Sequence, residues 1–429
     1  MHKKFLSRSP DGETADAVNT GGGSHPRAMN TFAAFRHPNY RLYFSGQIVS
    51  LVGTWMQIVA QGWLVYQLTD SPLYLGLVSF AASVPVFVLS LGAGAIIDRL
   101  PRRRVLVATQ TSAMLLAFVL AFLTFSGLVQ PWHILVLSFL LGVVNAFDGT
   151  ARQTFVKDLV GKEDLMNAIA LNSATFNTSR LIGPALAGLA LATVGAGWCF
   201  LLNGLSFLAV IVALLRMKLP AFVPPARRGP LVAEIGEGLR YIRHDPIVLP
   251  VIGLVVVSSV FGFSYNALLP AYARDVLQVG AQGLGLLSTA VGLGALVGAL
   301  WVASSGRSQH KGWLLTFGSL LFPVMLCLLA FTDTFAVALL VLVGAGLGFM
   351  VQNATANTLV QTTVPDDLRG RVMSVYMLAF FGMSPIGSLQ GGAVAERWGV
   401  AAGIGLGASI ALGFALWLMW RVPALKRLP

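Results

Sequence analysis

Charge is what this sequence has least of. Lys, Arg, Asp and Glu make up 11% of its 429 residues, 56% are hydrophobic, and the mean hydropathy is +0.75. A soluble globule averages about 25% charged residues, so that class is excluded and the chain reads as a polytopic membrane protein. Cysteine is nearly absent as well. Cys199 and Cys327 lie in apolar runs in different halves, which argues against a disulfide framework and leaves no Cys/His metal spacing. The first 40 residues lack an apolar core long enough for a cleaved signal peptide. No Gly-Lys-Ser/Thr phosphate loop is present, so ATP hydrolysis by this chain is not expected. The six histidines sit mostly in tails or loops without ligand or base spacing, so no enzyme activity, cofactor or metal is expected. Basic residues outnumber acidic ones by 29 to 17, but they are scattered through short loops with no aromatic-interleaved patch. That excess fits topology and contact with anionic lipid, and nucleic acid is not an expected partner.

What the chain has in abundance is long apolar runs. From Arg41 onward they recur at about 20 residues or more, enough to cross a hydrocarbon core of about 30 Å. Twelve are expected, at 41–67, 72–97, 104–127, 131–154, 164–190 and 197–218 in the first half. In the second half they fall at 246–270, 281–304, 311–331, 333–358, 367–393 and 398–421. With both termini in the cytoplasm, all of the 29 basic residues except Arg180, Arg274 and Arg397 fall on the cytoplasmic side, as the positive-inside rule requires. The expected plan is a disordered cytoplasmic tail over 1–40, a six-helix bundle over 41–218, a cytoplasmic linker over 219–245, a second bundle over 246–421 and a tail over 422–429. Within the linker, Leu231, Ile235, Leu239 and Ile242 recur at helical spacing and predict an amphipathic surface helix. Residues 151–160 (ARQTFVKDLV) align with 355–364 (TANTLVQTTV), which suggests two parallel repeats.

The stretch Gly94-x-x-x-Asp98-Arg99-x-x-Arg102-Arg103 resembles the signature of the major facilitator superfamily between its second and third helices. The resemblance covers roughly residues 35–422. Phe35-Arg36-His37-Pro38-Asn39-Tyr40-Arg41, Glu163-Asp164-Leu165-x-Asn167-Ala168, Gly183-Pro184-x-x-x-Gly188 and Gly238-Leu239-Arg240-Tyr241-Ile242 are similar to the bacterial exporter branch that includes siderophore exporters and macrolide efflux pumps. The resemblance implies two six-helix bundles, alternating access and a monomeric secondary transporter of the inner membrane. Proton-driven export of a small organic molecule is the favoured activity. A lipid or lysophospholipid flippase, or an importer, on the same fold is the alternative.

The residues themselves suggest a site. Gly94 permits close helix approach, and as a latch Asp98 can accept hydrogen bonds from the N-terminal end of a facing helix, which the resemblance implies is the eleventh, with Arg369 or Arg371 as alternative partners. Arg99, Arg102 and Arg103 complete that loop. On the first helix Gln47, Ser50, Thr54, Gln57 and Gln61 form a polar stripe over about four turns, suited to lining a cavity or to bonding neighbouring helices. Asn145, Tyr265, Asn266, Gln352 and Asn353 are similar, and the resemblance places helices 1, 4, 7 and 10 around a central path. Two charges fall inside the expected spans, where each costs about 2.5 to 3.5 kcal/mol at a helix centre. Asp148 is either a proton carrier or the partner of Arg152 one turn away. Arg180 either holds an anionic or carbonyl-rich substrate or caps carbonyls freed near Pro184. The Gly183-Pro184 pair resembles a helix-5 hinge of antiporters, although its preceding Gly is replaced by Ser179, and on helix 4 Ser138 stands where the family pattern has a basic residue.

Overall fold

A computed structural model of the chain describes residues 32–97, 99–161, 163–219, 231–305 and 311–427. Its long elements are α-helices: α1 Pro38–Thr69, α2 Pro72–Ile97, α3 Arg102–Phe125, α4 Pro131–Val160, α5 Leu165–Thr193 and α6 Ala196–Arg216. There follow α7 Leu231–His244, α8 Val248–Val276, α9 Ala281–Ser304, α10 Lys311–Ala330, α11 Phe335–Thr363, α12 Asp366–Trp398 and α13 Val400–Arg421. Eleven of these are both long and apolar enough to cross a membrane. The twelfth span is α5, whose 29 residues suffice in length but carry Asn167, Asn172, Asn177 and Arg180. Its polarity is bearable because it packs between α1 and α9 inside the protein. The fold is thus an all-α polytopic membrane fold of two pseudo-symmetric six-helix bundles.

Several helices outrun the bilayer. At 1.5 Å per residue, the 32 residues of α1 and 30 of α4 span well over 40 Å, so their ends stand in the aqueous phase. Two helices are irregular. In α8, π-turns occupy Ser258–Gly262 and Tyr272–Val276, and α12 is interrupted at Met383 between Gly382 and Ser384. Turns of this kind re-aim side chains and recur at functional sites.

The two bundles meet along two seams, α2 against α12 and α5 against α9. Small residues make both close. A Cβ on Gly188 would lie 3.0 Å from the Gly285 Cα, and one on Gly76 would lie 2.5 Å from the Ser388 carbonyl oxygen. Lipid tails are as apolar as leucine, so such backbone approach supplies the packing energy that water supplies in a soluble protein. The seams are related by the repeat: Gly76 begins α2 as Gly285 begins α9, and each faces the helix before last of the opposite half.

Helical structure is present before residue 41. Ala33–Arg36 forms a 3-10 turn and α1 begins at Pro38, whose fixed φ suits a first helical position. Two motifs distant in sequence hold this start in place. The Ala34 N–H donates to Asn167 Oδ1 at 2.9 Å, His37 Nε2 lies 2.9 Å from Asp164 Oδ2, and Tyr40 Oη donates to the Ala168 carbonyl at 3.1 Å. Residues 1–31 of the expected tail and 220–230 of the expected linker lie outside the described residues. At the other end Pro423–Arg427 forms a second 3-10 turn that buries Leu425 against the second bundle.

Helix α7 is docked, not free. Ile242 is buried in the second bundle's core, and Glu237 forms an ion pair with Arg371 at the start of α12. Leu239 stays exposed, so the predicted apolar stripe divides between protein and surroundings. Asp245 closes the segment, accepting the Ile247 and Val248 N–H groups at 2.9 and 2.8 Å and the Tyr241 hydroxyl at 2.9 Å. Desolvation and that hydrogen bond raise the Tyr241 phenol above its usual range.

Candidate functional site

The membrane part has a basic end, with the arginine-rich connections, and a far end. At the basic end Arg102 pairs with Asp158 at 2.6 Å, and Arg103 donates to the carbonyls of Leu215 at 2.7 Å and Met217 at 3.1 Å. These arginines therefore staple α3 to the ends of α4 and α6. Arg99 is exposed, and Asp98 lies outside the described residues. Of the alternative latch partners, Arg369 pairs with Asp366 and bonds the Gln361 carbonyl, and Arg371 pairs with Glu237. Among the described residues Gly94 does not make the predicted close approach, since a Cβ there would meet only Thr150 at 3.9 Å. That approach falls to Gly142, where a Cβ would lie 2.3 Å from the Ala82 oxygen.

Above this layer sits a buried ionic network. Asp148 on α4 accepts hydrogen bonds from Thr109 Oγ1 at 2.8 Å and Gln110 Nε2 at 2.7 Å, both on α3, and pairs with Arg152. The predicted Asp148–Arg152 pair forms because i and i+4 share a helix face. Thr109 and Gln110 were not legible as partners, since only the α3–α4 crossing brings them there. Tyr43 on α1 lies close enough to feel both charges, and its hydroxyl is buried with no partner among the described residues.

Two residues of the α1 polar stripe bond neighbouring helices. Gln57 accepts from Asn203 Nδ2 at 2.7 Å, and Gln61 donates to Ser138 at 2.8 Å. Thr54 bonds the Ser50 carbonyl, while Ser50 and Gln47 are buried and the Gln47 Nε2 has no partner among the described residues. In the second half Gln352 donates to Ser258 at 2.7 Å, beside the first π-turn, and Asn353 accepts the Tyr376 hydroxyl at 2.7 Å. Asn145 is exposed and Asn266 half-buried. So Gln57, Gln61, Gln352 and Asn353 act as interhelical glue in this conformation.

Arg180 is the charged group of the centre. Its guanidinium lies over the Trp55 ring at 5.6 Å, and Tyr265 of the other half is close enough to interact with it electrostatically. Trp55 also packs edge-on against Phe176, one turn before Arg180 on α5. Gly183 makes this possible, since a Cβ there would strike the Trp55 Cβ at 2.5 Å. Pro184 removes the donor that would bond the Arg180 carbonyl, and that carbonyl abuts Gly292 of α9. Trp55 escaped the sequence reading because it sits beside the polar stripe, and nothing in α1 alone marks it as a cation's partner. Tyr265 is fully buried, with Phe322, Phe263, Phe349 and Phe380 forming an aromatic series behind it.

At the far end the halves are joined by charges. Arg274 pairs with Asp70 at 2.6 Å and lies over the Tyr66 ring, whose hydroxyl bonds Asp275. On the other side Glu396 accepts the Ser71 hydroxyl at 2.7 Å and the Leu73 N–H at 3.2 Å. Among the described residues, the hydrogen bonds and ion pairs joining the bundles are made from this clasp down to Thr289 with Leu181 at mid-membrane.

Two membrane bundles clasped at one end, with charged and aromatic groups at their seam, define a transporter. A family profile described as transmembrane secretion effector matches residues 29–428, and the chain belongs to that family, within the major facilitator superfamily. It is 28% identical over 364 residues to the staphyloferrin A transporter of Staphylococcus aureus, covering 84% of this chain and 90% of that protein. It is 29% identical over 361 residues to the multidrug efflux pump Tap of Mycolicibacterium fortuitum, covering 82% and 87%. The enterobactin exporter EntS of Escherichia coli is 28% identical over 354 residues, covering 79% and 81%. Among solved structures, the nucleoside transporter NupG superposes with a TM-score of 0.69 at 12% identity over 90% of this chain and 99% of that one. A mutant of the peptide transporter POT gives 0.72 at 14% over 91% and 95%. These two likenesses establish the fold.

Proposed function

We propose that this protein is a secondary exporter of the bacterial inner membrane that carries a small organic molecule outward by alternating access in exchange for protons. The basic end, with both termini, faces the cytoplasm. The observation that carries the reading is the polar clasp at the far end, formed by Tyr66, Asp70, Ser71, Arg274, Asp275 and Glu396 between the halves. A structure tied outside and hinged along two glycine-lined seams is built to rock. Substrate meets Arg180, Trp55 and Tyr265, where a planar cation and an aromatic wall suit an anionic or carbonyl-rich organic ligand. The relatives named for staphyloferrin A and enterobactin support that class of cargo, and the one named for multidrug efflux supports a broader one. Asp148 carries the exchanged proton: it is a buried carboxylate whose partners sit on two helices of one bundle.

Purified protein in liposomes tests this. Efflux of a siderophore or dye panel should accelerate when a proton gradient is imposed and should collapse with a protonophore. Transport indifferent to the gradient refutes proton exchange. Release of labelled lysophospholipid, with no movement of soluble compounds, would establish the flippase alternative instead.

A further inference from the structure

The far-end clasp borders a cavity of about 530 Å³ lined by Trp63, Gln67, Arg274, Gln278, Val279 and Gly280. Three features set this cavity apart. Arg274 is the cation of the interbundle ion pair, yet its recorded partners, Asp70 and the Tyr66 carbonyl, both engage Nη1. A guanidinium has five N–H donors in a rigid fork, so Nε and Nη2, half-exposed and with no hydrogen-bond partner among the described residues, present the edge that binds a carboxylate through two parallel hydrogen bonds. The second feature is the wall. Trp63 is largely buried and supplies a flat apolar surface, while Gln67 and Gln278 add amide groups. The third is the backbone. Asp70, with φ 51°, and Gln278, with φ 52°, are the non-glycine residues with left-handed backbone among the described residues. Both close helix ends: the Asp70 N–H bonds the Tyr66 carbonyl, and Gln278 lies between the Leu277 N–H on Tyr272 and the Val279 N–H on Ala273, so these two caps fix where the wall of the cavity stands. One of these residues is the partner of Arg274 and the other lines the cavity.

We infer that this cavity is a binding site for a small aromatic carboxylate, held through the free edge of Arg274 with its ring against Trp63, and that its occupant competes with Asp70 for the guanidinium. Binding there loosens the clasp. On the exporter reading, which this site needs only for its physiological meaning, the cavity faces outward and is the last station of a departing anion. Closure of the clasp by Asp70 then expels the occupant, and external anion at high concentration holds the clasp open.

The test uses full-length protein in lipid nanodiscs and 4-fluorobenzoate as the probe, followed by fluorine NMR titration. Saturable binding is expected, with none for the neutral 4-fluorobenzamide. Asp70→Asn should tighten binding at least threefold by removing the competing carboxylate. Arg274→Gln should weaken it at least tenfold, and Arg397→Gln, an exposed arginine on the same face, should leave it unchanged. Spin labels on Ser126→Cys and Phe331→Cys, with both native cysteines replaced by serine, should move apart as the probe saturates. Absence of saturable binding overturns the site, as does binding that survives Arg274→Gln or falls equally with Arg397→Gln. If Arg274→Gln does not fold, Asp70→Asn decides, since unchanged or weaker binding overturns the competition. None of these readings requires transport, so failure of the site and failure of the export reading are separately visible.

Discussion

Replacing Asp148 by asparagine separates what this carboxylate does for the fold from what it does for transport. Asparagine keeps one oxygen, enough for Thr109 and Gln110, but turns an amide N–H₂ toward Arg152. One charge-assisted hydrogen bond is lost, and such bonds contribute about 1.5–3 kcal/mol. The Arg152 side chain is 27% exposed, so water compensates in part, and the loss should sit near the lower bound, about 1.5–2 kcal/mol. At roughly 2–4 °C per kcal/mol for a unit of this size, the thermal midpoint in detergent should fall by roughly 3–8 °C. The double variant Asp148→Asn/Arg152→Gln removes the stranded cation and should recover at least half of that fall. Export into a proton gradient should drop to its gradient-free rate in both variants, because neither retains a titratable group at 148. An unchanged midpoint in the single variant would refute the network energetics. A stable variant that still responds fully to the gradient would refute Asp148 as the carrier.

Two further outcomes are expected. Gly285→Ala puts a methyl 2.7 Å from the Gly188 Cα and the Pro184 oxygen, and overpacking of this kind costs about 1–3 kcal/mol. It should lower the thermal midpoint and slow transport, whereas Gly92→Ala, with nothing within 4 Å, should be neutral or stabilising by up to about 1 kcal/mol; equal effects of the two would show that the α5–α9 seam tolerates separation. Arg180→Lys keeps the charge but not the planar face over Trp55, a contact of about 1–2 kcal/mol when desolvated, so the KM for an anionic substrate should rise about tenfold at nearly constant maximal rate. A fall in maximal rate alone would assign Arg180 to the conformational cycle instead.

Much of this architecture was legible from one dimension. Twelve spans follow from the length of apolar runs, even for α5, which composition alone leaves marginal. The Asp148–Arg152 pair follows from helical spacing, because both partners share one helix. The motifs around His37 and Asp164 were readable as separate signals, but their contact was not, since they stand 127 positions apart. Trp55 beneath Arg180, Thr109 and Gln110 around Asp148, and the Tyr66–Asp275 and Asp70–Arg274 ties were invisible for the same reason. The stripe on α1 shows the limit of periodicity. It identifies a face that must avoid lipid, but it does not say whether protein or water will meet it.

The sequence by itself determined the class of molecule and its division into a basic end and a far end. Hydrophobic length and charge placement act locally, against a bilayer that is the same for every helix. Only the tertiary structure decided which polar groups pair, where glycine lets backbones touch, and at which end the two bundles are clasped. Those outcomes depend on helices distant in the chain meeting at angströms, where a hydrogen bond or a missing Cβ counts only if both partners arrive.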